Sequence, residues 1–238
     1  MRITTKNIFS SFIIVASLLI SASTMANIIA SDSFDYSDGT INGQNGGFGW
    51  NGSWGGSHNL ENGVVKGSSV SFRNLQTSIS HKVGTRVYIE FDMAADSAPN
   101  NDFSGISFYN GGNEELFFGL SFATDVYGIN WTGYYNGETG PAVTTRFDSL
   151  VGEVIFGSVD TIVNLFVNSG GQLTTPIDTF TADTSSLGGS WDRIRIAGNV
   201  QSMYDNLSIS VVNAPSTIGI LFLSLVLLNC RRCSTNIS

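Results

Sequence analysis

Through residues 64–211 the chain keeps returning to one pattern: a few residues in which apolar and polar side chains alternate, then a turn. The clearest run is Val87 to Met93, with Val87, Ile89, Phe91 and Met93 on one side and Tyr88, Glu90 and Asp92 on the other. A period of two sustained over that length predicts a half-buried β-strand. Phe103 to Tyr109 and Leu116 to Phe122, joined through Asn110-Gly111-Gly112, predict a hairpin. Further strands are expected at Val64 to Val65, Val70 to Phe72, Val126 to Trp131, Val143 to Phe147, Val151 to Phe156 and Ile162 to Val167. Ile177 to Phe180, Ile194 to Ile196 and Leu207 to Val211 complete the set. Turns are expected at Asn136-Gly137, Ser169-Gly170-Gly171 and Leu187-Gly188-Gly189. No stretch of useful length has a helical period, and no segment repeats. Short strands at this spacing predict an all-β sandwich or jelly roll.

The two ends break this pattern. Arg2 and Lys6 precede an apolar run from Ile8 to Ile20, and small residues from Ser21 to Ala26 follow it. That is the layout of a secretory signal peptide over residues 1–26, cut after Ala26, with Ala22 and Ala30 as other exits. The competing reading is a buried N-terminal helix. At the other end, Ile218 to Leu228 is rich in leucine and poor in β-branched residues, which favours helix. That run, at about 1.5 Å per residue, reaches only about 16 Å of a hydrocarbon core about 30 Å thick. Flanking residues lengthen it at the cost of polar groups near its ends. A short transmembrane helix at about 216–230 is therefore a marginal anchor, set against a core helix. Arg231 and Arg232 immediately beyond it suit a cytoplasmic stop.

Charge follows the same division. The whole chain carries −8, but its nineteen carboxylates all lie between Asp32 and Asp205, with only seven basic residues among them. The body thus carries −12, which keeps it soluble and repels nucleic acid and anionic lipid. Removing both ends leaves residues 27–211 as one domain, followed by a tail at 212–238. Twenty-seven glycines, sixteen phenylalanines and only 13% charged residues fit a turn-rich β domain rather than a disordered stalk. The two cysteines, Cys230 and Cys233, lie beyond the apolar run, so no disulfide can staple the body. Without a second pair or a nearby histidine, they read as juxtamembrane thiols rather than a zinc or redox site.

Pro215-Ser216-Thr217, the short apolar run and Arg231-Arg232 resemble the C-terminal sorting tail of PEP-CTERM proteins. The resemblance implies a bacterial cell, an exosortase-like processing enzyme as partner, and delivery to the cell surface or extracellular matrix. The chain departs from the family where Asn213-Ala214-Pro215 replaces Pro-Glu-Pro. In the body, Asp32-Ser33-Phe34-Asp35-Tyr36, Asn42 to Trp50, and Trp54 resemble the opening of concanavalin-like, laminin-G-like sandwiches. Trp191 to Ile196 and Tyr204 to Ile209 resemble their closing strands, which the resemblance places beside the first.

Candidate chemistry is sparse. Glu90-Phe91-Asp92 resembles the Glu-x-Asp-x-(x)-Glu strand of retaining glycoside hydrolases on this fold, whose first glutamate is the nucleophile and last the acid. Here the last place falls on Ala94 or Ala95, and Asp96 comes too late. Six residues of strand separate Glu90 and Asp96 by about 20 Å, whereas a retaining pair needs about 5–5.5 Å. Glu90 and Asp92 read better as an acidic outer face. The histidines, His58 and His81, sit in polar, turn-like contexts with no Gly-x-Ser-x-Gly. Asp32 and Asp35, with Asp205 brought near by the body resemblance, offer hard oxygen ligands that suit calcium, against a reading as solvated turn aspartates. Trp54, Trp131, Tyr134 and Tyr135 stand among asparagine and glycine, where sugar rings can stack and hydroxyls find amides. The competing reading places the tryptophans in the core. The expectation is an exported, surface-anchored or matrix-associated, non-catalytic sandwich that binds polysaccharide and no nucleic acid. The alternatives are a glycoside hydrolase-like enzyme using Glu90 and Asp92, or a structural coat component.

Overall fold

The computed structural model describes residues 26–95, 103–120, 126–131, 146–168, 175–198 and 201–213, with backbone alone at 134–135. The chain first forms β1 (Asn27–Asp32), β2 (Gly39–Thr40), β3 (Trp50–Gly56), β4 (Asn59–Glu61) and β5 (Val64–Gly67). Next come β6 (Val70–Ser80), β7 (Arg86–Ala95), β8 (Ser104–Asn110), β9 (Asn113–Leu120), β10 (Tyr127–Trp131) and β11 (Tyr134–Tyr135). The last strands are β12 (Asp148–Ile155), β13 (Asp160–Val167), β14 (Asp178–Asp183), β15 (Ser190–Gly198) and β16 (Ser202–Val212). A single 3-10 turn, Thr184–Leu187, is the helical element among the described residues, and Asp183 caps it by accepting from the Ser185 N–H. No helix among these residues is long and apolar enough to cross a membrane. The expected signal core and tail helix lie outside them; Ala26 is exposed and directly precedes β1.

The strands form two antiparallel sheets. One runs β14-β13-β12-β7-β16-β5-β4-β2, with β1 also on β16, and the other β11-β10-β9-β8-β15-β6-β3. On one flank β16 pairs with β7; on the other it serves β5 through Ser202–Tyr204 and β1 through Leu207–Val211. A register shift between Asp205 and Ser208 separates these two partners. Of the two expected closing strands, β16 therefore lies beside the first, whereas β15, which carries Trp191 to Ile196, sits in the second sheet between β8 and β6.

Alternation dictates which face is buried. In β7, Val87, Ile89, Phe91 and Met93 are at most 2% exposed, while Glu90 stays in solvent. They join the inward side chains of the second sheet, Ile106, Phe108, Phe118, Trp191, Ile194 and Ile196, in one core. Each such side chain contributes roughly 1.5–3 kcal/mol by leaving water. Trp191 stacks on Phe108 at 4.4 Å and leans on Phe156 at 5.4 Å.

Both histidines differ from expectation. His58 is fully buried, its Nδ1 2.9 Å from the Ser71 hydroxyl and its Nε2 without a hydrogen-bond partner. His81 stacks on Phe156 at 4.3 Å and meets Trp191 edge-on at 4.6 Å. Burial lowers each imidazole to about 4, so both rings are neutral at pH 7. Polar neighbours in sequence concealed partners supplied from other strands.

Glycine is required where the 45–50 segment runs against β1. Gly49 has φ +82°, and a Cβ there would stand 1.9 Å from the Ile29 carbonyl oxygen. Beside it, Ser31 and Phe48 exchange both backbone hydrogen bonds at 2.9 Å. Only a residue without a side chain permits this approach.

Candidate functional site

Asp32, expected among calcium ligands, is instead the centre of a buried ion pair. Its Oδ2 accepts from Arg73 Nη1 at 2.8 Å, Trp54 Nε1 at 2.8 Å and the Tyr36 hydroxyl at 2.6 Å. Its Oδ1 accepts the Phe34 N–H at 3.0 Å. Arg73 also donates to the Gly52 and Gly46 carbonyls and to Asn45 Oδ1. Burial and the Asp32 carboxylate push the Tyr36 phenol up to about 12. The charge of Asp32 is thus spent on tying β1, the 45–54 segment and β6 together.

Asp35 is exposed and accepts from the Ser33 hydroxyl at 2.8 Å. Asp205 stands across from Asp92 in register. Burial raises its carboxyl, the Asn206 N–H opposes this, and the charges of Asp92 and Asp35 add to it. The structure leaves Asp32 out of that acidic neighbourhood. Among the described residues no three carboxylate, imidazole or thiol groups converge to hold an ion. The expected set of Asp32, Asp35 and Asp205 does not fit calcium.

Glu90 and Asp92 project from the outer face of β7, as their alternation requires, and Ala94 is buried. Asp92 accepts from the Ser149 hydroxyl and from Asn206 Nδ2 at 2.7 Å. Next to them, Glu153 takes bonds from Arg86 at 3.0 Å, the Tyr88 hydroxyl at 2.9 Å and Asn164 at 2.9 Å. Thr179 extends the chain of bonds by donating to Asn164. These groups form a polar lattice across five strands, β16, β7, β12, β13 and β14. Asp96 lies outside the described residues.

Of the tryptophans expected to stack on sugar, Trp54 belongs to the core and Trp131 is half-buried. Trp54 is 1% exposed, and Trp131 lies stacked on Phe180 of the opposite sheet at 6.1 Å. Trp50 donates its indole N–H to the Ser31 carbonyl and lies under Arg73. Tyr134 and Tyr135 extend the second sheet through β11, with side chains outside the described set.

A different aromatic surface occupies the outer face of the second sheet. Register places Asn51, Asn74, Arg193, Tyr109 and Glu114 in one row across β3, β6, β15, β8 and β9. Phe72, Arg195 and Ser107 form the next row. Phe72 meets Tyr109 edge to face at 5.6 Å, Arg193 lies 5.8 Å over Phe72, and Arg195 lies 5.2 Å over Tyr109. Arg193 Nε donates to Asn74 Oδ1 at 2.8 Å, while Arg195 is paired with Glu114. Burial raises the Tyr109 phenol, Arg195 opposes this and Glu114 adds to it. Asn51 and Asn74 are exposed; Phe72, Arg193 and Arg195 are half-buried. The guanidinium planes lie over the rings beneath them; Arg195 Nε is buried, so the outer N–H groups and the flanking amides are the polar groups this face can offer. Sequence reading missed this face. Its signal was the outward placement of Phe72 and Asn74, and of Arg193 and Arg195, at two-residue spacing.

The sheets define an all-β sandwich protein. No family model matches the chain, and no curated protein matches it. Among solved structures it is similar to peanut lectin with a 9mer peptide, at 12% identity and TM-score 0.49, covering 80% of this chain and 100% of that one. It is also similar to lectin II from Ulex europaeus, at 10% identity and TM-score 0.46, covering 67% and 91%. The VIP36 exoplasmic/lumenal domain in its Ca2+/Man3GlcNAc-bound form gives 9% identity and TM-score 0.46, covering 71% and 84%. None of the three reaches a TM-score of 0.5, and none places a residue of the face described above.

Proposed function

We propose that this chain is an exported, surface-anchored or matrix-associated protein whose concanavalin-like sandwich binds carbohydrate without altering it. The observation that carries this reading is the row of Asn74, Arg193 and Tyr109 beside Phe72 and Arg195. It combines planar cations on aromatic supports with neutral amides, a set that holds hydroxyl-rich ligands. Glu90 and Asp92 support the enzyme reading less well, because Asp92 is engaged by Ser149 and Asn206 and the third position is the buried Ala94.

A glycan array with the purified body, residues 27–212, tests binding. We expect micromolar to millimolar affinity, on the order of that given by few contacts on an open face. Arg193→Ala should weaken binding about tenfold, the loss of one cation contact, with the melting temperature little changed. Failure to bind any glycan would put the structural-coat reading in front. Glycan turnover that vanishes in Glu90→Gln would make the protein an enzyme.

Export rests on the N-terminal signal pattern, the acidic body and the basic flanks. The Pro215-Ser216-Thr217 to Arg231-Arg232 tail supports exosortase-like processing. A reporter enzyme that works only outside the cytoplasm, fused after Val212, should be active. An inactive, intact fusion would sink the export reading.

A further inference from the structure

The register gathers several strand ends at one end of the first sheet: Arg86 faces both Val212 and Ile155, Ile155 faces Ile162, and Asn27 faces Val211. The loop leading into β7 and the loop from β12 to β13 are laced together there. Gly84 N–H donates to the Phe156 carbonyl at 2.7 Å, and Phe156 N–H to the Thr85 carbonyl at 3.0 Å. Their tips are apolar: Val83 is 63% exposed and Val159 65%. Ile28 and Ile162 are also exposed at this end, so it holds four of the seven large hydrophobics exposed among the described residues. Phe48, Val70 and Phe147 lie elsewhere and apart. Charge here is mixed, with Lys82 and Arg86 exposed alongside Asp160 and Asp183.

From this same end the chain leaves Val212 for its apolar segment. Five residues, 213–217, separate Val212 from Ile218, a reach of at most about 22 Å over the six steps when extended. A bilayer holding residues 218–228 therefore keeps the end that bears Val83 and Val159 close to its surface. Contacts too weak for association from solution suffice under such tethering, because the effective concentration is high. Apolar side chains settle at the boundary of headgroups and acyl chains, and the balanced charge suits a zwitterionic rather than an anionic surface.

We infer that the sandwich stands with this end against the lipid surface, with Val83 and Val159 dipping into the headgroup region. The inference rests on the membrane-anchored reading above. The two sheet faces, with the Arg193 face among them, then rise away from the bilayer.

The absence of cysteine from the body makes the test direct. The full chain, with Cys230→Ser and Cys233→Ser, is prepared with one thiol at Val83→Cys, Val159→Cys or, at the opposite end, Gln201→Cys. Each is labelled with an environment-sensitive fluorophore and mixed into phosphatidylcholine vesicles. Probes at 83 and 159 should shift to the blue and be quenched by aqueous iodide about threefold less than the probe at 201. A chain that floats with the vesicles while all three probes are quenched equally overturns the docking and leaves the anchor standing. A chain that does not float overturns the anchored reading and this inference with it.

Discussion

Asp32→Ala is expected to lose about 3–5 kcal/mol of stability, the cost of leaving one member of a buried ion pair alone. Both side chains of the Asp32–Arg73 pair are 2% exposed, so water cannot replace the missing carboxylate. The Tyr36 hydroxyl and Trp54 indole N–H lose their acceptor as well. Against a total stability of roughly 5–15 kcal/mol for a typical domain, this loss is a large share of what holds the fold. Urea denaturation at neutral pH reads it as a fall in midpoint. Glu61→Ala serves as the control: its partner Lys66 is 42% exposed, and surface pairs contribute about 0–1 kcal/mol. Equal midpoints for the two variants would show that the buried pair is not what fastens β1.

The second large effect comes from acid. His58 is neutral in the fold because burial lowers it to about 4, whereas the unfolded chain takes up a proton at about 6.5. Below 6.5 the unfolded state binds more protons, so stability falls as pH drops and the loss levels off near 4. The full loss is on the order of 3 kcal/mol. His81 acts in the same direction. Glu115 and Asp205, whose carboxyls burial raises, act in the opposite sense. Comparing the parent with His58→Leu isolates the one ring. The variant's stability should fall less steeply between pH 6.5 and 4, whatever its stability at pH 7. Parallel curves would mean that His58 is charged in the folded state.

Strands with one wet face were legible in the sequence. Val87 to Met93 appears inside Arg86–Ala95, and the Asn110-Gly111-Gly112 turn joins β8 to β9. Ile162 to Val167 lies within Asp160–Val167. β3 was not legible, because Trp50–Gly56 has four glycine or serine residues among seven and takes its form from β6 and the 41–44 segment. Only the start of β6 was legible, since Gln76, Thr77 and Ser78 are exposed and break the alternation. Asn136-Gly137 and Ser169-Gly170-Gly171 lie outside the described residues, as does most of Val143 to Phe147. The site was harder for a physical reason. Trp54 and Trp131 advertise aromatic chemistry in one dimension, but burial decides whether a ring meets solvent. Arg193 and Asn74 are 119 residues apart, and only strand register brings them together.

The position of β16 also governs when the fold can exist at all. Of the described strands it is the last in sequence, yet it lies inside its sheet, and β1 has no other strand partner among the described residues. Asn27 must wait for Val211, so about 180 residues emerge before the first and last strands can meet. Local hairpins such as β8–β9 can close early, but the sheet that holds β7 cannot be completed until synthesis has passed Val212. With this wiring the first sheet stays incomplete until β16 is available, whichever hairpins have already closed.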